Sequence, residues 1–257
     1  MGGQGTKTML RIKTEAVVFD QGNTLIMDPF QKVMELEKDE FRKLFADHRI
    51  SIDTPKVIEA WTRANKEVDY PDIGHFFQEE PIIQEALRHL GIPAEVAAFL
   101  GLELLKEYRT GLKAVIESDP RTQEVRRTLQ ELKASGKRLG VFSNDRAVSL
   151  GMVLSHMGIE HLFEYIETSE SIGIEKPDLR VFDHLLAHFG LPPHRVAYVG
   201  DDPIRDIDPA KAKGLKAILH SVDGALYGEA WRDYSAATRY KPDAVIKDFA
   251  ELLEIIG

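Results

Sequence analysis

The sequence predicts an α/β protein: a parallel sheet covered by helices on both faces, interrupted by an all-helical insertion. Three observations carry this. Ala16-Val17-Val18-Phe19 is a short continuous apolar run with a β-branched middle, the pattern of a strand buried on both faces. Residues 28–117 then show helical periodicity and no convincing strand. From Ser118-Asp119-Pro120 onward, apolar runs alternate regularly with helix-spaced stripes, as parallel strands joined by crossover helices do.

Taken in order, the first strand is stopped by Asp20-Gln21-Gly22-Asn23, where glycine and asparagine permit positive φ and a sharp turn. In the helical block, Phe41, Leu44 and Phe45 share one face, as do Val57, Ile58 and Trp61. Ile82, Ile83, Leu87 and Leu90 form a further stripe, ended by Gly91-Ile92-Pro93. Residues 96–115 read as a long amphipathic helix interrupted near Gly101. Val125, Leu129 and Leu132 mark a helix closed by Gly136 and followed by a strand over 138–142. A helix over 149–156, a short strand at 165–166 and a helix over 181–189 come next. The strand 196–199, a helix to residue 213, strands at 217–219 and 244–246 and a last helix from Asp248 complete the series. The strand at residue 16 belongs to the same sheet, so the expected core is 1–28 with 118–257, and the insertion is 29–117. Residues 227–240 are read as a connection between the last two strands, and Trp61 and Trp231 as core or interface anchors.

Composition narrows the function classes. The chain holds 42 acidic and 33 basic residues, a net charge of −9 that argues against broad adhesion to nucleic acid or an anionic membrane. The absence of cysteine excludes disulfides, cysteine nucleophiles and thiolate zinc sites. No apolar stretch approaches the ~18 residues of a membrane helix. Residues 1–13 lack the hydrophobic run of a signal peptide, so the expectation is a cytoplasmic protein with no nucleic-acid or membrane partner.

In open parallel sheets ligands bind at the carboxyl ends of the strands. The first strand delivers Asp20; the second ends in Ser143-Asn144-Asp145; a later loop carries Lys176 ahead of Pro177; the fourth delivers Gly200-Asp201-Asp202, with Asp206 four residues on. Carboxylates without neighbouring cysteine or histidine are hard oxygen ligands, suited to magnesium. Such an ion would screen a carboxylate nucleophile from an anionic phosphoryl group, while an ammonium and a hydroxyl-amide pair hold the remaining phosphoryl oxygens.

These four segments, Phe19-Asp20-Gln21-Gly22-Asn23-Thr24-Leu25, Ser143-Asn144, Lys176-Pro177 and Gly200-Asp201-Asp202 with Asp206, resemble the four ordered motifs of the haloacid dehalogenase (HAD) superfamily. The helical block resembles that superfamily's C1 cap, set into a Rossmann-like core. The resemblance implies Asp20 as nucleophile and magnesium ligand, a backbone-carbonyl ligand at Gly22, and phosphate binding by Ser143 and Asn144. It implies that Lys176 steadies nucleophile and phosphate, and that Asp201 ligates the metal. Asp202 and Asp206 are further candidates for the metal, directly or through water. The implied function is magnesium-dependent hydrolysis of a small phosphorylated metabolite, with a homodimer as one compatible assembly.

One position departs from the pattern. Phosphatases of the superfamily usually carry a second aspartate two residues after the nucleophile, which protonates the leaving group and then activates water. Here that position is Gly22, which keeps a backbone carbonyl and loses the proton shuttle. General acid–base help is worth ~10²–10⁴-fold, small beside the ~10²¹-fold reachable for phosphate monoesters. A side chain of the insertion, a water or a good leaving group would make up the difference; His75, Asp28 and Glu79 are candidates by position alone. Two other readings stand beside this one: a 2-haloacid dehalogenase, and a phosphate-binding module with little or no turnover. The dehalogenase branch works without magnesium and typically has tyrosine where Gly22 stands. The close group Asp201, Asp202 and Asp206 would be poorly tolerated without a cation.

Overall fold

The computed structural model describes residues 11–69, 79–221 and 239–257. Six parallel strands form one sheet: β1 (Ala16–Phe19), β2 (Arg138–Ser143), β3 (Tyr165–Thr168), β4 (Val196–Gly200), β5 (Lys216–His220) and β6 (Ala244–Ile246). Their order across the sheet is β3-β2-β1-β4-β5-β6. β1 is therefore central, with Phe19 level with Val141 on one side and Val199 on the other. The chain reverses its direction of travel across the sheet at β1 and β4, which puts the ligand crevice beyond Phe19 and Gly200.

Burial on both faces explains why the strands read as continuous apolar runs. Val17, Phe19, Val141, Ala197 and Val199 pack on one face, against α6 (Pro120–Ala134) and α7 (Ala147–Met157). Ala16, Val18, Phe142 and Tyr198 pack on the other, against α9 (Leu179–Phe189), whose Val181, Phe182 and Leu185 are fully buried. Truncating one such residue to alanine removes about 2–5 kcal/mol, a large share of a domain's net stability.

Between β1 and α6 the described residues are helical: α1 (Phe30–Leu36), α2 (Lys38–Asp47), α3 (Thr54–Asp69), α4 (Glu79–His89) and α5 (Ala94–Ser118). Phe41, Phe45, Ile83, Leu87, Leu100 and Leu104 give this block its own core. α5 runs unbroken, contrary to the interruption expected at Gly101. That glycine is a crossing point: a Cβ there would sit 2.6 Å from Nε2 of Gln84 on α4. Gln84 closes the contact by donating to the Ala97 carbonyl at 3.1 Å. Asp119 starts α6, its Oδ1 accepting from the Arg121 amide at 2.9 Å with Pro120 at the first helical position. Its Oδ2 pairs with Lys32 at 2.7 Å and ties the end of the helical block to its beginning.

Two short helices complete the crossovers, α8 (Ser169–Ile172) and α10 (Asp208–Ala212); the latter follows one π-helical turn over Pro203–Ile207. The last helix expected from Asp248 is a 3₁₀ turn, Phe249–Glu251, running into α11 (Leu252–Ile255). Among the described residues no helix is long and apolar enough to cross a membrane. His75, Trp231 and most of 227–240 lie outside the described residues, as does the side chain of Glu79.

Candidate active site

Asp20 follows directly from β1, and its amide donates to the Val199 carbonyl at 2.9 Å, fixing it at the sheet's carboxyl edge. Lys176 reaches the same point from the loop between α8 and α9. Its Nζ donates to Asp20 Oδ1 and to Asp206 Oδ1, both at 2.6 Å. Carboxylate oxygens of Asp20, Asp201 and Asp206 lie within 4.8 Å of one another. Three acids thus face one ammonium, and the residual negative charge is buried.

The electrostatics follow from that count. Burial pushes the Asp20 carboxyl up to about 6, against the pull of Lys176, and the charge of Asp206 adds to the rise. Burial also raises Asp201 well above the ordinary range, reinforced by Asp20, Asp206 and Asp202. For Lys176 burial works the other way, but Asp20 and Asp206 outweigh it and hold the ammonium firmly charged. The ammonium also lies 5.5 Å from the centre of the Tyr198 ring and 6.0 Å from that of Phe142, within cation–π range.

The spacing of Asp202 and Asp206 left their roles open, and the structure separates them. The π-helical turn carries Asp206 back over β4, so that its Oδ2 accepts from the Asp202 amide at 3.0 Å while Oδ1 holds Lys176. Asp202 caps that turn, its Oδ1 accepting from the amides of Ile204 at 2.7 Å and Arg205 at 3.0 Å. The metal-suited trio is accordingly Asp20, Asp201 and Asp206, without Asp202. Gly200 makes the return possible: any Cβ there would overlap the Asp206 carboxylate.

Ser143 ends β2 and is buried beside this group. Asn144 has a job its motif did not announce. Its Oδ1 accepts from the Lys176 amide at 2.8 Å and its Nδ2 donates to the Lys176 carbonyl at 2.9 Å. The asparagine thus clamps the backbone that aims the lysine.

Asn23 is a second support that sequence reasoning passed over. Its φ of 49° lies in the left-handed region, where asparagine is tolerated better than most residues. From there its side chain bonds the Asp201 carboxylate, its Oδ1 accepts from the Asp28 amide at 3.2 Å, and its carbonyl accepts from His220 Nδ1 at 2.6 Å. Nδ1 must then carry the proton, so Nε2 of His220 accepts from Arg121 at 3.1 Å. Burial, then the charge of Arg121, hold this histidine below its ordinary pKa. The only signal available in the sequence was an asparagine in a turn, which is common.

Gly22 stands next to this loop with nothing within 4 Å of where a Cβ would be and no left-handed strain. It borders a cavity of about 280 Å³ between sheet and helical block, which also reaches Ser143 and Asn144. Phe30, Trp61 and Tyr108 from the helical block line it, with Leu112 and, from α7, Met152. Asp28 borders it as well, its Oδ1 engaged by the Phe30 amide at 2.8 Å, and burial raises its carboxyl.

The donor set fits a magnesium ion. Two buried carboxylates, Asp20 and Asp206, and the half-buried Asp201 converge without histidine, in a chain without cysteine, and one lysine leaves their charge unbalanced.

Comparison with known proteins agrees with the geometry. Over 129 residues the chain is 38% identical to a glyceraldehyde 3-phosphate phosphatase of Methanothermobacter thermautotrophicus, covering 50% of this chain and 55% of that protein. It is 34% identical over 132 residues to a phosphoglycolate phosphatase of Haemophilus influenzae, again 51% and 55% of the two chains. The chain thus spans about half the length of these curated relatives. Among solved structures, a magnesium-bound HAD hydrolase of Bacillus subtilis superposes with a TM-score of 0.66 at 19% identity, over 96% of this chain and 99% of that one. A 2-haloacid dehalogenase of Pseudomonas syringae does so with a TM-score of 0.60 at 22% identity, over 94% and 97%. At those identities the superpositions speak for the fold. The family model described as "Haloacid dehalogenase-like hydrolase" matches residues 80–220, a stretch that holds Ser143, Lys176, Asp201 and Asp206. With more than half of the chain matched, and the sheet around it as described, this protein belongs to the haloacid dehalogenase-like hydrolases.

Proposed function

We propose that this chain is a magnesium-dependent phosphatase that hydrolyses a small phosphorylated metabolite through a phospho-aspartyl intermediate on Asp20. The observation that carries the reading is the buried bridge Asp20–Lys176–Asp206, two contacts of 2.6 Å, with the half-buried Asp201 beside it. Names of relatives matched over about half their length, phosphatases of glyceraldehyde 3-phosphate, phosphoglycolate and phosphoserine, support the reaction class.

In this reading Asp20, Asp201 and Asp206, with the Gly22 carbonyl, would hold magnesium. Bound there, the ion supplies the positive charge that lets a carboxylate approach an anionic phosphoryl group. The protein's own groups do the rest. Asp20 is ionised at neutral pH, since its pKa of about 6 lies below that range. The carboxylate attacks phosphorus through Oδ2 while Oδ1 stays on Lys176, which fixes the carboxylate's direction. One O–P bond forms on Asp20 as the ester O–P bond breaks, and the departing alkoxide takes a proton from solvent. Water then attacks the same phosphorus, the acyl-phosphate bond breaks, and Asp20 and inorganic phosphate are released. Ser143 Oγ binds a phosphoryl oxygen, and Asn144 acts through the lysine it clamps.

Phosphate release from a panel of phosphometabolites, with and without magnesium, tests the reading against an Asp20→Asn control. Magnesium-dependent release that falls by at least about 10³-fold in the control is expected. Halide release from 2-haloacids without metal, or phosphate binding with no product, would contradict it.

A further inference from the structure

The cavity beside the site carries information about the alcohol that leaves. Its wall on the helical side is aromatic. The ring centres of Phe30, Trp61 and Tyr108 lie 5.1, 5.6 and 6.2 Å apart, at 31–40° to one another. Rings this close fill the space among themselves, so they present a face for a flat group and not a cage around a cation. Apolar Ile82, Leu112 and Met152 continue the wall. Among the described residues lining the cavity there is no lysine, arginine or histidine; the carboxylic acids are Asp28 and Asp145. A substrate carboxylate placed here would lose its water, gain no cationic partner and face two acids.

Gly22 speaks to the same alcohol from the other side. Position 22 itself carries no side chain to protonate a leaving oxygen, and Asp28, the acid–base candidate that borders the cavity, has its Oδ1 engaged by the Phe30 amide at 2.8 Å. An aliphatic alkoxide departs more slowly without that proton, by about 10²–10⁴-fold; a phenolate or enolate loses far less.

We propose that this site, if it is the phosphatase site argued above, takes phosphate esters of uncharged, flat, apolar alcohols of low pKa, of the aryl or enol class, and discriminates against esters whose alcohol carries a carboxylate. Trp61 is the specificity-determining residue at the centre of the wall.

A matched pair reads the charge preference without any mutation: 4-carbamoylphenyl phosphate against 4-carboxyphenyl phosphate, two leaving groups of similar size. With the full chain and magnesium, kcat/KM is expected to favour the neutral ester by at least about 10-fold beyond what a leaving-group pKa series accounts for, the usual cost of leaving one buried polar group unpaired. Phosphoglycolate and phosphoserine are expected to be poorer still. Across substituted phenyl phosphates kcat should fall steeply as leaving-group pKa rises, and Gly22→Asp should flatten that slope. Trp61→Ala should raise KM for 1-naphthyl phosphate by about 10-fold while inhibition by inorganic phosphate stays unchanged. Equal or better turnover of the carboxylated esters, of phosphoglycolate or of phosphocholine would overturn the inference and leave the phosphatase reading standing. Magnesium-dependent release from no ester at all would overturn both.

Discussion

Among the described residues, two groups of metal-capable side chains lie equally close together, each with ligand atoms within 4.8 Å, and they are built on opposite principles. Asp20, Asp201 and Asp206 gather at the sheet edge; Glu67, Glu85 and His89 gather between α3 and α4. In the second group each carboxylate has its own cation: Glu67 pairs with Arg63 at 2.8 Å, and Glu85 is held by Arg88. These arginine contacts draw both glutamates below the ordinary range. His89 bonds Glu67 at 2.6 Å and stitches the two helices together. In the first group a single lysine serves two acids, and burial pushes Asp20 and Asp201 up. A cluster of acids becomes a cation site through burial and a shortage of positive charge, and proximity alone does not make one.

The sharpest way to break the comparison is steric. Gly200→Ala drives a methyl group into the Asp206 carboxylate, which has no room to retreat because Lys176 and the Asp202 amide hold both its oxygens. Magnesium affinity should fall by at least about 10-fold and stability by about 1–3 kcal/mol, read by calorimetry and chemical denaturation. Glu85→Gln, in the balanced group, should change magnesium dependence by less than about twofold and stability by less than about 1 kcal/mol, since its ion pairs are surface pairs.

A pH series sharpens the contrast further. The Asp20 carboxyl is raised in the fold, so below its unfolded pKa near 3.8 the folded state carries the full benefit of the neutral form. That contribution is lost as pH rises through about 6. The metal-free protein is therefore strained at neutral pH by this group, and added magnesium should raise Tm more at pH 7.5 than at pH 5. Equal shifts at both pH values would contradict the charge account. A modest effect, on stability alone, belongs to the junction of the helical block and α6. Asp119→Ala removes the helix cap and the Lys32 pair, and should cost about 1 kcal/mol without altering KM.

Most of the fold was legible because its signals are local. Val17, Val18 and Phe19 announce a doubly buried strand whatever surrounds them, and the inner strands β2, β4 and β5 follow from similar runs, while the edge strands β3 and β6 show only two or three apolar residues. Gly101 misled because a glycine that ends a helix and one that lets another helix approach look alike in sequence; only Gln84 across the gap distinguishes them. At the site, Asp20 could be named because β1 delivers it to the sheet edge, and Lys176 because it stands in a loop directly ahead of Pro177 in the order the resemblance requires. Asp202 and Asp206 could not be separated, because their roles depend on the π-helical turn between them. Asn23 and Asn144 act through bonds to residues more than thirty positions away, and no spacing rule reports such partners.

Isothermal titration with magnesium at pH 7.5 tests the central claim most directly, run on the wild type and on Asp206→Asn and Glu85→Gln. The account predicts one ion per chain, affinity lowered at least about 10-fold by Asp206→Asn and unchanged in Glu85→Gln. Binding that survives the first substitution intact, or that disappears with the second, would contradict it.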